Sequence, residues 1–196
     1  PDYKIEDAWL DRVAQLVGYA ETAGLNAVIN IHHDGGSSQH WLDVKEAAKD
    51  EAVNQKIKDQ LHAMWTQIAL RFKKKGNFLM FESMNEIHDG KWGYGDNLAD
   101  GGRQHEIVNE WNQVFVDAVR ATGGKNKQRY LGVPGYCTNI NLTLKYFRFP
   151  TDKAKDRLVL SVHYYDPHLF TLENQWNEWG YQAPQNKGQR TDENHV

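Results

Sequence analysis

The chain has one cysteine, Cys137, among 196 residues, which excludes a disulfide within it. No apolar stretch approaches the ~20 residues of a membrane-spanning helix. Net charge is small: 23 basic against 26 acidic side chains leave −3. That balance argues against a nucleic-acid partner and against an anionic membrane surface. There is no repeat of fixed short period and no low-complexity tract. No His-x-x-x-His or cysteine pair supplies metal-ligand spacing, so neither a metal nor another cofactor is expected.

What is present is a heavy aromatic load and a regular alternation of patterns. Seven Trp and nine Tyr can stack on sugar faces, although most such rings in any domain are simply packed. The length is enough for one good core. Four apolar runs read as strands, at residues 27–31, 78–81, 129–133 and 158–162. Their continuity predicts strands covered on both faces, as in a parallel sheet.

Helical stripes separate them. Trp9, Leu10, Val13, Leu16, Val17 and Ala20 share one face, with Gly24 as the stop. Val53, Ile57, Leu61, Met64, Trp65, Ile68 and Phe72 make a longer stripe, followed by three lysines that suit the negative end of a helix dipole. Ile107, Val108, Trp111, Phe115, Val116 and Val119 make a third, and a short helix precedes the last strand. All three stripes read as core packing. The alternation argues an α/β fold. Residues 87–103, with Trp92 and Tyr94, and residues 166–190 read as long loops able to carry binding.

Polar residues collect where each apolar run ends. His32-His33-Asp34 follows the first, Pro134-Gly135-Tyr136 the third, and His163-Tyr164-Tyr165-Asp166 the fourth. In a (β/α)8 barrel the active site lies at that end of the strands. The second run is the most informative, because it leads through Glu82-Ser83-Met84 into Asn85-Glu86. A carboxyl at the mouth of a buried strand is desolvated, which favours its neutral form and suits general-acid work. An adjacent amide suits a substrate hydroxyl. The bland alternative is a strand that ends in two polar residues and turns. Glu82 shares a strand face with Glu86, but four strand residues span ~13 Å. A retaining carboxylate pair needs ~5–5.5 Å.

Several segments together resemble glycoside hydrolase family five, the cellulase family, and most of all bacterial endo-β-1,4-glucanases. They are Asn30–Asp34, Phe81–Glu86, Val119–Asn126 with Arg129-Tyr130-Leu131, Pro134–Tyr136 and Ser161–Tyr165. The resemblance implies a partial (β/α)8 TIM barrel, about strands three to six with their helices. A complete barrel takes ~250 residues, so residues 1–196 are expected to be one incomplete catalytic domain. Glu86 would be the acid/base. Asn85 would bind the 2-hydroxyl of the sugar at the cleaved bond, and His32 would line the same subsite. His33 and Trp92 are further candidates for substrate contact, although strand period two turns His32 and His33 to opposite sides. His163 and Tyr165 would shape the pocket from one strand face.

The family's nucleophilic Glu belongs to a later strand, outside these residues, so the chain alone is expected to be inactive. The partner would be a β-glucan polysaccharide. A missing complementary fragment or self-association would cover the open sheet edges. A polymeric substrate implies a secreted or cell-surface parent protein. Mannan, xylan or xyloglucan as substrate, and a non-catalytic glycan-binding role, stay open on these residues. A metal site built from His32, His33, Asp34, His40 and His88 is a weaker rival, lacking ligand spacing.

Overall fold

The four apolar runs pair edge to edge in a computed structural model that describes residues 2–32, 40–166 and 168–173. Their strands are β1 (Ala27–Asn30), β2 (Leu79–Glu82), β3 (Leu131–Pro134) and β4 (Leu158–Ser161). They form one parallel sheet in the order β1-β2-β3-β4. Each crossover carries helix: α1 (Asp7–Thr22) precedes β1, α2 (Val44–Lys49) and α3 (Glu51–Phe72) follow it, α4 (Arg103–Ala121) follows β2, and α5 (Ile140–Tyr146) follows β3. A four-residue helix, α6 (His168–Thr171), follows β4. The chain divides into two compact units, residues 1–162 and 163–196. No described helix is long and apolar enough to cross a membrane.

Sequence periodicity missed α2. Its signal was present: Asp43 caps it by accepting from the Glu46 amide at 3.0 Å, and an acidic residue three positions after the cap marks many helix starts.

The sheet buries one face. Leu79, Phe81, Leu131 and Val133 are fully buried beneath α3 and α4, where Trp65 packs 5.5 Å from Phe81 and 4.6 Å from Phe115. The alternate residues point the other way. Val28 is 56% exposed and Val159 39%. Coverage on both faces, the expectation from continuous apolar runs, therefore fails among the described residues. Four strands do not close a barrel, so the inner side chains have no strands opposite them.

The stripe on α1 holds only in part, Leu10, Val13 and Val17 packing into or against the core. Val17 alone is buried in that helix, while Trp9 and Leu16 are 65% and 49% exposed. The helix leans on β1 and α3.

The N-terminal ends of the strands are tied by a largely buried polar knot. Arg129 donates to the carbonyls of Phe72, Lys75, Gly76 and Leu79 and to Asn126 Oδ1. Its guanidinium lies 4.6 Å over the Phe81 ring. Three of these carbonyls lie at or just past the end of α3 and the fourth opens β2, so one side chain fastens helix to strand. Burial, with Arg120 nearby, pulls Arg129 down to about 10, still far above neutral pH, so it stays charged. Asn126 donates to the Ala69 carbonyl at 2.7 Å. Arg120 pairs with Asp152 at 2.7 Å with both side chains under 10% exposed. Gly124 is held at φ +58, and a Cβ there would fall 2.9 Å from the Lys73 carbonyl. The Gly-Lys-Asn and Arg-Tyr-Leu elements of the resemblance are thus fasteners of the sheet's lower end.

Candidate active site

Past β2 the chain is pinned twice, and Asn85-Glu86 lies between the pins. The first pin is Ser83. Its amide donates to the Gly132 carbonyl at 3.0 Å, extending the ladder one residue beyond the strand. Its carbonyl accepts from Trp65 Nε1 at 3.1 Å. Its hydroxyl donates to Asn112 Oδ1 at 2.6 Å, and Asn112 Nδ2 donates to the Pro134 carbonyl at 2.8 Å. This network is wholly buried and joins α3, α4 and β3 beneath the site. The second pin is Ile87, whose carbonyl accepts from the Cys137 amide at 2.9 Å. Between them Asn85 is 4% exposed and Glu86 is half-buried. The bland reading, a strand that ends and turns, gives no reason for anchoring the five residues Ser83–Ile87 so closely.

The loop after Glu86 is also fixed. The Tyr136 hydroxyl accepts from the Asp89 amide at 2.9 Å and donates to Gln104 Oε1 at 2.8 Å. Burial, reinforced by the Asp89 charge, pushes the Tyr136 phenol far up, so it remains a neutral hydrogen-bonding post. The Gly90 amide donates to His88 Nδ1 at 2.9 Å, which leaves that nitrogen without a proton. The buried His88 ring lies 4.0 Å from the Trp92 ring at 32°. Trp92 takes a left-handed backbone, φ +51, and is 53% exposed. The indole is therefore backed by an imidazole and presented to solvent.

On the inner face of the sheet, Asn30 Nδ2 donates to Glu82 Oε2 at 3.1 Å and lies 3.3 Å from His32 Nδ1. His32 is exposed, and Glu82 holds the interior position expected of it. His33 lies outside the described residues. In the second unit, the His163 and Tyr165 ring centroids are 6.5 Å apart at 71°, and Tyr165 is 50% exposed. No group of three or more His, Cys, Asp or Glu able to hold a metal occurs among the described residues.

Sequence reasoning assigned no role to Tyr136 or Gln104 and considered His88 only as a metal ligand. Tyr136 had a local signal, its place in Pro-Gly-Tyr directly after β3. Gln104 had none, because its partner is 32 residues away.

The family model of cellulase (glycosyl hydrolase family 5) matches residues 1–195. A GH5-4 broad specificity endoglucanase from Bacteroides salanitronis is 63% identical, with a TM-score of 0.88 over 94% of this chain and 49% of its own. The xyloglucan-specific endo-beta-1,4-glucanase of Bacteroides ovatus is 40% identical over 91% of this chain and 34% of its own. Endoglucanase A of Paenibacillus barcinonensis is 38% identical over 93% and 47%. The chain thus spans about half, or less, of the length of these relatives. Structures of this kind are (β/α)8 barrels, and the four-stranded parallel sheet is part of one.

Proposed function

The chain belongs to glycosyl hydrolase family 5, the cellulase family, and on that premise we propose that its parent protein is a retaining endo-β-1,4-glucanase with Glu86 as acid/base. The observation that carries this reading is the Asn85-Glu86 pair, half-buried at the end of β2 and anchored at Ser83 and Ile87. Glu86 gives its proton to the glycosidic oxygen as the bond to the sugar breaks. A second carboxylate takes the anomeric carbon, forming a glycosyl-enzyme. Glu86, now ionised, then takes a proton from the water that releases the sugar. Asn85 holds the 2-hydroxyl, and His32 and Trp92 contact the substrate.

The nucleophile comes from outside these residues, because Glu82 lies too far along the strand. These 196 residues alone are therefore inactive, and the exposed inner face around Val28 and Val159 is covered by the rest of the barrel. Supply of those strands by a second copy of the chain is the less favoured solution. The substrate is a β-1,4-glucan. The xyloglucan named for one relative supports a branched glucan as the second reading. A polymer of this size is met outside the cell, so the parent protein works secreted or at the cell surface.

The test is hydrolysis of soluble cellulose by the full-length protein and its Glu86→Gln variant. Turnover should fall by about 10²–10⁴, the usual contribution of a positioned acid/base, while cello-oligosaccharide binding persists. Near-normal turnover would overturn the assignment. Robust turnover by a preparation whose mass matches these residues alone would overturn the external nucleophile.

A further inference from the structure

Three polar side chains stand together on the inner face of the sheet, where branched apolar residues dominate a barrel interior. Asn30 and Glu82 are register partners on β1 and β2, and His32 follows Asn30 by two positions. Asn30 Nδ2 donates to Glu82 Oε2 at 3.1 Å and lies 3.3 Å from His32 Nδ1. We propose, resting on the glycosidase reading above, that Asn30 and Glu82 are positioning residues. They hold His32 in one orientation with its proton on Nε2.

The proton's place follows from which atoms can donate. A carboxylate only accepts, so the end of the Asn30 amide that faces Glu82 is its nitrogen. That nitrogen carries two protons. One goes to Glu82 Oε2, and the other is available to His32 Nδ1. An Nδ1 that accepts has no proton of its own, so the neutral ring carries its proton on Nε2. A reversed amide would set oxygen against oxygen at Glu82. Glu82 therefore fixes the amide, and the amide fixes the ring. Room for Glu82 is kept by its β3 partner, Gly132. A Cβ there would fall 3.2 Å from Glu82 Cβ and 3.1 Å from Ser161 Oγ.

An interior polar pair needs its own hydrogen bond, but it has no need of a ring beyond it. Here the bonds run outward, from the partly buried Glu82 and Asn30 to the exposed His32. Strand pairing stops at Asn30, so β1 does not hold the imidazole and the side-chain bond does. A ring ordered in advance loses less freedom when ligand arrives, which favours affinity. His32 thus meets the sugar as a donor already aimed.

The experiment uses the full-length protein with Glu86→Gln, so that ligands stay intact. Isotope-labelled histidine gives the protonation of each ring nitrogen by NMR, and the His32 signals are those lost in His32→Gln. The parent should show a proton on Nε2 and a bare Nδ1. Asn30→Asp puts an acceptor in the donor's place and should bring a proton to Nδ1. Packing alone would not move that proton. Calorimetry with cellotetraose reads the consequence. Asn30→Leu should weaken binding about fivefold or more, the scale of one lost net hydrogen bond. Glu82→Leu should weaken it too, and Glu82→Gln, whose carboxamide oxygen still accepts, should recover most of that loss. A protonated Nδ1 in the parent overturns the assignment, and this reading needs no variant to fold. An Nδ1 that stays bare in Asn30→Asp, unchanged affinity in Asn30→Leu, or no binding by the parent overturns it as well. Hydrolysis by the unaltered protein is measured separately. Its absence beside an Nε2 proton and Asn30-dependent binding would keep the positioning and sink the glycosidase reading.

Discussion

The two ends of the sheet are built to opposite rules. At the N-terminal ends of the strands, the charges of Arg129, Arg120 and Asp152 are buried and hydrogen-bonded. Arg129 spends its donors on four carbonyls and an amide oxygen, and Arg120 meets Asp152 out of water. At the C-terminal ends, Glu86 is half-buried, Trp92 is half-exposed, and Trp92, Cys137 and Thr138 all hold left-handed backbone. Left-handed non-glycine residues each cost about 1–3 kcal/mol. Asp156, just before β4, also holds left-handed backbone, so the ends differ chiefly in buried charge against accessibility, the division expected of a barrel whose chemistry sits at the strand C-termini.

Four experiments in the full-length protein would break or sharpen that contrast. The largest effect is expected from Glu86→Gln, with turnover down by about 10²–10⁴ and the melting temperature barely moved. A matching loss of stability would mean that the upper end is structural too. Next is Arg129→Met, which strands buried carbonyls and should cost about 3–5 kcal/mol in denaturant unfolding. Its kcat, measured where the variant is folded, should stay near the parent value, and a selective drop in kcat would undo the division.

Gly135→Ala tests the seam, because Gly135 follows β3 directly. A Cβ there would lie 3.0 Å from Thr143 Cβ and closer still to its Oγ1. Overpacking of this kind costs about 1–3 kcal/mol. Adding Thr143→Ala should recover part of it, and no recovery would place the strain elsewhere.

The smallest effect concerns acid. Burial pushes the Asp152 carboxyl up, but bonds from Arg120 and from the Ala154 and Lys153 amides outweigh it, leaving the group below its ordinary 3.8. A carboxyl with a depressed folded pKa stabilises fully above the unfolded value, and the contribution fades as pH falls through the folded one. Unfolding midpoints should therefore drop below about pH 4, with a shallower drop for Asp152→Asn. Equal slopes would remove the pair from acid stability.

Much of this was legible in the residues. The strands fall within two residues of the apolar runs, because burial against helices demands local hydrophobicity. Asn85-Glu86 was legible because the pair follows β2 in sequence. Tyr136 was legible only as part of Pro-Gly-Tyr, since its partners Gln104 and Asp89 come from other elements, and His88 meets Trp92 only through the turn of its own loop. The stripe on α1 misled because periodicity reports which side of a helix is apolar, not whether a neighbour covers it. Trp9 carries the pattern and lies in solvent.

By itself the sequence determined the alternation of helix and strand, the parallel sheet and the family, since these follow from periodicity and from short motifs in order. Tertiary structure alone decided which motif does what. Arg120, Gly124, Asn126 and Arg129 became fasteners because Asp152, Lys73, Ala69 and the end of α3 lie against them. The backbone on either side of the Asn85-Glu86 pair is held because Trp65, Asn112 and Cys137 arrive from three other elements. Hydrogen bonds between residues dozens of positions apart exist only once the chain has packed, and no local pattern records them.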